Sequence, residues 1–294
     1  MELRHLRYFV AVAQESHFTR AARALGIGQP PLSQQIQQLE AEIGTALFRR
    51  LPRGVELTAA GEVFFREAKE ILSHATRAVE HARRAARGEL GRIRVGMINS
   101  APFHPLIPRI LREYRKKYPG VALTIEESST PELATNVHDD ILDIAFVRPL
   151  LGHDPYLAVE HLFDEKVLVV LPAGHPLTKY KSLKLEALSL ERFVFFSRAV
   201  GAGLYDAIIA ACQRAGFSPR IVQEALQVTS IVNLVAAGLG VSLVPASMQM
   251  IHSEGIAYRP IRGDAPLAKM SLIYRQGDSS PTVTNLVRLA RELI

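Results

Sequence analysis

The sequence predicts an α/β protein that opens with a helix-rich winged helix-turn-helix and continues as a two-lobed α/β domain. Three observations carry this expectation. The opening residues read as three short amphipathic helices and a basic hairpin, the next thirty or so as one unbroken helix, and the remainder as strands alternating with helices. A chain of 294 residues is also too long for one ordinary core, which implies two or more domains. The expected boundaries are 1–58 for the head, 59–90 for a linker helix and hinge, and 91–294 for the α/β part. Within the last, lobe I is expected at about 91–163 and 266–294, and lobe II at about 164–265.

Composition narrows the class. Hydrophobic residues make up 48% and charged residues 22%, as in globular proteins. No run of roughly 18 uncharged apolar residues exists, so no membrane span is expected. The N-terminus mixes charges into its apolar residues and lacks the order of a secretory signal. With one cysteine, Cys212, no internal disulfide is possible, and a cytoplasmic protein is expected. The net charge is +6. Residues 1–90 hold 13 Lys and Arg against 10 Asp and Glu, and residues 91–294 hold 22 against 19. The excess is therefore +3 in each part, and only local placement can mark a surface for nucleic acid.

Leu3, Leu6, Phe9, Val10 and Ala13 recur at helical spacing in a first helix that ends near Glu15. Thr19 is expected to cap a second helix through Leu25, which Gly26 stops. Pro30 and Pro31 suit the first turn of a third helix. That helix has an apolar stripe of Leu32, Ile36, Leu39 and Ile43, and its other face carries Ser33, Gln34, Gln37 and Gln38. Such a unit fits a helix-turn-helix, because Gln can bond both edge atoms of adenine and Ser can serve either base. Leu47–Arg50 and Val55–Leu57 flank Pro52-Arg53-Gly54 as a hairpin with Arg49, Arg50 and Arg53 near its tip. A basic wing of this kind would hold the sugar-phosphate backbone while the helix reads bases.

Five ordered features follow one another here: the aromatic first helix, FTRAA, QPPLSQQI, LE…IG…LF and R…LTAAG. Together they resemble the N-terminal domain of LysR-type transcriptional regulators, in the branch that regulates aromatic-acid catabolism or acetoin formation. The resemblance spans about 60 residues of head, and the remaining chain has the family's length and order. It implies DNA-facing positions at Thr19, Gln29, Pro30, Pro31, Ser33, Gln34, Gln37, Arg50 and Arg53. Gln34 stands where many relatives carry Arg.

From Thr58 to Arg87 there is no proline and one glycine, Gly61. Phe64, Ala68, Ile71, Ala75, Ala78 and Ala82 alternate by four and three, a heptad seam. An isolated helix cannot bury such a stripe, so another helix must cover it, either in a second copy of the chain or within its own; the resemblance implies the dimer. Two-fold symmetry implies an inverted-repeat site on double-stranded promoter DNA. The resemblance further implies a dimer of dimers.

Arg87–Gly91 is the expected hinge. Ile93–Ile98, Val121–Glu126 and Ile144–Val147, with helices between, predict a parallel sheet. A second set begins at Lys166, with strands Val167–Leu171, Phe193–Phe196 and Val241–Pro245 and helices Leu204–Ala215 and Ser230–Ala237. Ser271–Arg275 is expected to return to the first sheet. The resemblance implies two lobes joined by two crossovers, the periplasmic-binding-protein architecture. Ligands of open α/β sheets bind beyond strand C-termini. That places three loops at an effector site, Asn99–Ala101, Ser128–Thr130 and Ala199–Gly203, with Arg148 beside them; Asn99, Ser100, Ser129, Thr130, Arg148 and Gly201 are the candidate contacts. Hydroxyls and helix-start N–H groups there suit a small organic anion. The resemblance puts Ser100, Thr130 and Arg148 at effector-contacting positions, and Leu204 near a position where some relatives place an aromatic wall.

Catalysis is not expected. G-x-G-x-x-G, phosphate-loop and H-E-x-x-H patterns are absent, His74 and His81 read as surface residues, and Asp139-Asp140 reads as a turn. No cofactor and no metal are expected. The lobes alone would equally suit a solute-binding protein for a small anionic metabolite without direct DNA function, an alternative that the N-terminal head opposes. The expected partners are DNA, RNA polymerase, further copies of the chain and a small effector.

Overall fold

The structure, a computed structural model, describes residues 1–52, 54–148, 152, 154–251 and 254–294. It divides into two compact units, Met1–Arg84 and Ala85–Ile294.

The first unit contains α1 (Leu3–Glu15), α2 (Phe18–Leu25), α3 (Gln29–Ile43), β1 (Phe48–Leu51), β2 (Gly54–Leu57) and most of α4 (Ala59–Ala86). Each helix stops where the sequence allows a left-handed residue: Ser16 after α1, Gly26 after α2 and Gly44 after α3. The cap of α2 differs from expectation. His17, not Thr19, is the N-cap, and its ring nitrogen accepts the Thr19 N–H at 3.2 Å. An imidazole acceptor does the work of the usual hydroxyl, so Thr19 falls inside the first turn.

The core of this unit is organised around Phe9, which is fully buried. Its ring lies 5.1 Å from that of Phe48 and 5.0 Å from that of Phe64. Ala68 is also fully buried in this core. Phe64 and Ala68, expected on the dimer seam, therefore pack inside their own head. The periodicity is the same for either partner, so the sequence pattern could not separate them. Gly61 is required by close approach, since a Cβ there would lie 2.1 Å from the Leu47 carbonyl oxygen. Thr58 fixes this corner, donating to the Ala46 carbonyl at 2.8 Å and accepting from Gly61 N–H at 2.9 Å.

In the second unit, β3 (Leu90–Met97) lies between β4 (Gly120–Glu127) and β5 (Ile144–Val147), all parallel. The connecting helices are α5 (Leu106–Lys117) and α6 (Thr130–His138). The sheet is mixed rather than wholly parallel. β6 (Leu157–Pro172) and β11 (Leu267–Arg275) run antiparallel to each other, and β11 is antiparallel to β5. β6 begins nine residues before the strand expected at Lys166. In its early part isolated buried residues stand among exposed and half-buried ones, a weaker apolar signal than Val167–Leu171.

The later part of β6 pairs with β9 (Ser242–Pro245) and β10 (Ile256–Pro260) in lobe II. There β7 (Arg192–Phe196) pairs in parallel with β8 (Arg220–Ala225), covered by α7 (Ala202–Arg214) and α8 (Val228–Ala236). Each lobe has its own core, one including Val95, Phe146 and Leu272, the other Val169, Phe195 and Leu243. Burying each such side chain contributes about 1.5–3 kcal/mol. β6 and β11 thus belong to both lobes. The last helix, α9 (Pro281–Leu293), returns to lobe I against α5.

Candidate nucleic-acid interface and ligand cleft

The head assembles a notch from three elements. His17 and Phe18 at the start of α2, Gln29 and Ser33 at the start of α3, and Arg50, Leu51, Gly54 and Val55 of the hairpin line it. The Gln29 amide donates to Ser33 Oγ at 2.8 Å, which orders both on the exposed turn. Thr19, Pro30, Pro31, Gln34 and Gln37 are exposed. Pro30 and Pro31 occupy the first turn of α3, after the N-cap Gly28.

The other two glutamines of α3 are engaged within the head. Gln35 Oε1 meets the buried His5 ring at 2.9 Å, and its amide donates to Gln38 Oε1 at 2.8 Å. Gln38, read from sequence as part of the outward face, is therefore tied to Gln35. Arg49 is paired with Glu56 across the hairpin, while Arg50 remains exposed. Arg53 lies outside the described residues. The hairpin itself is docked: Val55 N–H donates to Ser16 O at 3.0 Å, and Glu40 accepts the N–H groups of Leu47 and Phe48 at 2.8 and 3.0 Å.

The second unit forms a cleft of about 420 Å³, including its mouth. It lies beyond the C-terminal ends of β3, β4 and β5 from lobe I and of β7 and β8 from lobe II, as the topology requires. Asn99, Ser100, Thr130, Arg148, Gly201 and Leu204 all line it. Ser129 does not. It is the N-cap of α6 and accepts the Glu132 N–H at 3.4 Å, and its neighbour Ser128 faces the cleft instead.

Among the described residues, two polar atoms of residues lining this cleft are buried without partners, Thr130 Oγ1 and Arg148 Nε, and their residues are 4% and 3% exposed. Buried polar groups normally have partners, because stripping water from one costs about 1–3 kcal/mol. Both terminal nitrogens of the Arg148 guanidinium are engaged. Nη1 donates to the carbonyls of Ala268 and Lys269 at 2.8 and 3.2 Å, and Nη2 donates to Glu165 at 3.2 Å. The other Glu165 oxygen accepts the Ser247 N–H. Burial pulls the Arg148 guanidinium below its ordinary range while Glu165 opposes the shift, and an arginine starts high enough to stay charged.

A backbone bond bridges the cleft, from Thr130 N–H in lobe I to Val200 O in lobe II, at 3.2 Å. No side chain caps α7 at Gly201 or α8 at Gln227, so both helix starts present N–H groups there.

Residues 3–62 match the family model for the bacterial regulatory helix-turn-helix protein of the lysR family, and residues 86–294 match the LysR substrate binding domain. The chain belongs to the LysR family of transcriptional regulators. It is 38% identical over 290 residues to the HTH-type transcriptional regulator AlsR of Bacillus subtilis, covering 99% of this chain and 95% of that one. It is 40% identical over 289 residues to BudR of Raoultella terrigena, covering 98% and 100%. Full-length CbnR in complex with its target DNA superposes with a TM-score of 0.87 at 29% identity, over 100% and 99% of the two chains. The chain is thus a LysR-type DNA-binding transcriptional regulator with an effector-binding domain. These relatives are regulators rather than enzymes, and the match at the head leaves no ground for a stand-alone solute-binding protein.

Sequence reasoning missed part of the cleft wall. Phe196, Leu226, Gln227 and Val228 line it, whereas Val200 lies in a loop already expected at the site. Leu226, Gln227 and Val228 follow β8, whose residues are mostly exposed, so the strand gave no apolar run to mark its end. Phe196 was visible as a buried strand end, yet no polar atom pointed to it as a wall.

Proposed function

We propose that this LysR-family regulator binds inverted-repeat promoter DNA as a dimer, paired further into a tetramer in the cytoplasm, and responds to a small carboxylate held between its two lobes. The reading of the effector rests on the unpartnered Thr130 Oγ1 and Arg148 Nε, two buried donors facing one cleft at strand C-termini. A carboxylate oxygen satisfies both kinds of donor. Asn99, Ser100, Gly201 and Leu204 complete the surroundings.

On DNA, Gln29, Ser33, Gln34 and Gln37 read base edges, with Thr19, Pro30 and Pro31 beside them. Arg50 and Arg53 hold the phosphates. Dimerisation falls to the outer part of α4, where Ile71, Ala75, Ala78 and Ala82 continue the stripe beyond the head. Effector binding favours one arrangement of the lobes, which alters the DNA bend and access for RNA polymerase. Its leverage is its difference in affinity for the two arrangements, and a nearly complete switch needs about 5.5 kcal/mol shared among sites.

The test is a footprint and binding series with promoter DNA. Gln29→Ala and Ser33→Ala should relax base preference, whereas Arg50→Gln should weaken all sequences alike and reduce the salt dependence by about one counterion. Ser100→Phe should abolish the ligand-dependent change in footprint. Equal effects of all three head variants on every sequence would refute the reader assignment, and an unchanged ligand response in Ser100→Phe would refute the cleft.

A further inference from the structure

A directed chain of hydrogen bonds runs from the start of α1 to the outer face of α3. It begins at a backbone N–H, which can only donate: Glu2 N–H gives its hydrogen to His5 Nδ1 at 3.3 Å. A ring nitrogen that accepts carries no hydrogen, so the imidazole keeps its own at Nε2. His5 is 8% exposed, and its Nε2 meets Gln35 Oε1 at 2.9 Å. The Gln35 oxygen is therefore the acceptor, and the Gln35 amide donates onward to Gln38 Oε1 at 2.8 Å. Each bond fixes the direction of the next.

Gln38 ends this chain. It is exposed, one helical turn after Gln34 on the same face of α3. Its oxygen is turned toward Gln35, which leaves the –NH2 group, a donor only, as the part free to meet DNA. Gln34 and Gln37 differ. Both are exposed and have no hydrogen-bond partner among the described residues, so each can aim oxygen and nitrogen together. The major-groove edge of adenine asks for that pairing, an acceptor for its N6 amino group and a donor to N7. Gln38 cannot supply it while its oxygen stays on Gln35. A phosphate oxygen, or the O6 and N7 of guanine, asks for donors alone.

We infer that Gln38 is a further DNA contact, held by His5 and Gln35 as a donor-only amide that takes a phosphate oxygen or a guanine edge and excludes adenine. This rests on the reading of α3 as the DNA reader given above. His5 and Gln35 are positioning residues, acting through the polarity they impose on Gln38. Gln35→Glu alters that polarity without changing Gln38. A carboxylate at 35 still accepts from His5 but has no N–H to give, and it draws the Gln38 –NH2 group inward, turning the oxygen toward DNA.

The experiment uses the full-length protein and a duplex that it selects from a randomised pool, with affinity read by fluorescence anisotropy at fixed salt. Gln38→Ala and Gln35→Glu should each weaken binding by about five- to tenfold, and the double variant should be no weaker than the worse single one. A loss that came only from the new charge, or from a damaged fold, would add to that of Gln38→Ala and would overturn the relay. Single methylphosphonate linkages and single 7-deazaguanines in the duplex then separate the two sources. The substitution that weakens the wild type but not Gln38→Ala marks a phosphate in the first case and a guanine in the second, and either supports the donor-only contact. Gln38→Ala binding within about twofold of the wild type, or losing a preference for adenine at one position, would overturn it. Those results with Gln29→Ala and Ser33→Ala still relaxing base preference would remove this inference alone. No effect from any of these variants would remove the reading of α3 as well.

Discussion

The side-chain amide of Asn285 donates to the carbonyl of Arg87 at 2.9 Å, joining α9 of lobe I to the residue that follows the long helix α4. Gly88 beside it has φ +68°, and a Cβ there would come 2.7 Å from the Pro281 carbonyl carbon. The Asn285 Oδ1 accepts in turn from Arg288, which also reaches the Tyr118 hydroxyl. Asn285→Leu should remove this tie at a cost of about 1 kcal/mol. Amides of residues 87–91 should then exchange roughly tenfold faster with solvent hydrogen, with the sheet core unchanged. Unaltered exchange at those residues would show that the tie contributes nothing.

Gly61 and the Leu47 carbonyl set a second prediction. With a Cβ only 2.1 Å from that oxygen, Gly61→Ala must displace either α4 or the hairpin. Overpacking of this kind costs about 1–3 kcal/mol or more. Chemical denaturation followed by the head's aromatic signal should show a lower midpoint. Gly61→Ala should also lower DNA affinity, because the hairpin strand β1 starts at Phe48, the residue after Leu47.

The long helix should separate into two regimes. Ala68 is fully buried in the head, so Ala68→Leu should destabilise the head by about 1–3 kcal/mol. Farther along, Ile71 is 39% exposed and Val79 53% exposed, with Ala78 and Ala82 also exposed. Ile71→Asp or Ala78→Asp should leave the head folded yet shift sedimentation toward monomer and weaken binding to a two-half-site DNA. Both classes behaving alike would contradict this division.

Acid should act through Asp143. Burial pushes its carboxyl up, but hydrogen bonds and charge from Arg94, with Arg275 adding charge, outweigh that and hold it below its ordinary value. Arg94 Nη2 meets it at 2.6 Å. A group depressed in the folded state contributes stability that is complete above about pH 4 and is lost as pH falls through the native value. Urea midpoints of the wild type should therefore fall below about pH 4 more steeply than those of Arg94→Gln, which starts lower at neutral pH.

Much of the site was legible in the sequence because its residues stand next to strong local signals. Ser100 and Arg148 follow the apolar runs of β3 and β5, and Thr130 opens a helix after β4. Ser129 and Thr130 could not be told apart, since either hydroxyl is able to cap a helix and only the backbone path shows which one does. Leu226–Val228 escaped because β8 is an exposed strand without an apolar run. Glu165 was invisible for a different reason. Its partner Arg148 is 17 residues away, and a lone carboxylate inside a strand carries no mark of burial. Phe64 and Ala68 fit a heptad and a globular core equally well, so spacing alone assigned them to the wrong neighbour.

β6 and β11 pass through both lobes as one hydrogen-bonded ladder, with a register shift between Met270 and Ser271. The lobes consequently have no loose tether about which to swing. Any change in their attitude must be taken up as torsion of a two-stranded ribbon, with the irregular step as its softest point. Strain stored in such a ribbon would relax when the load is removed, with no separate resetting event required.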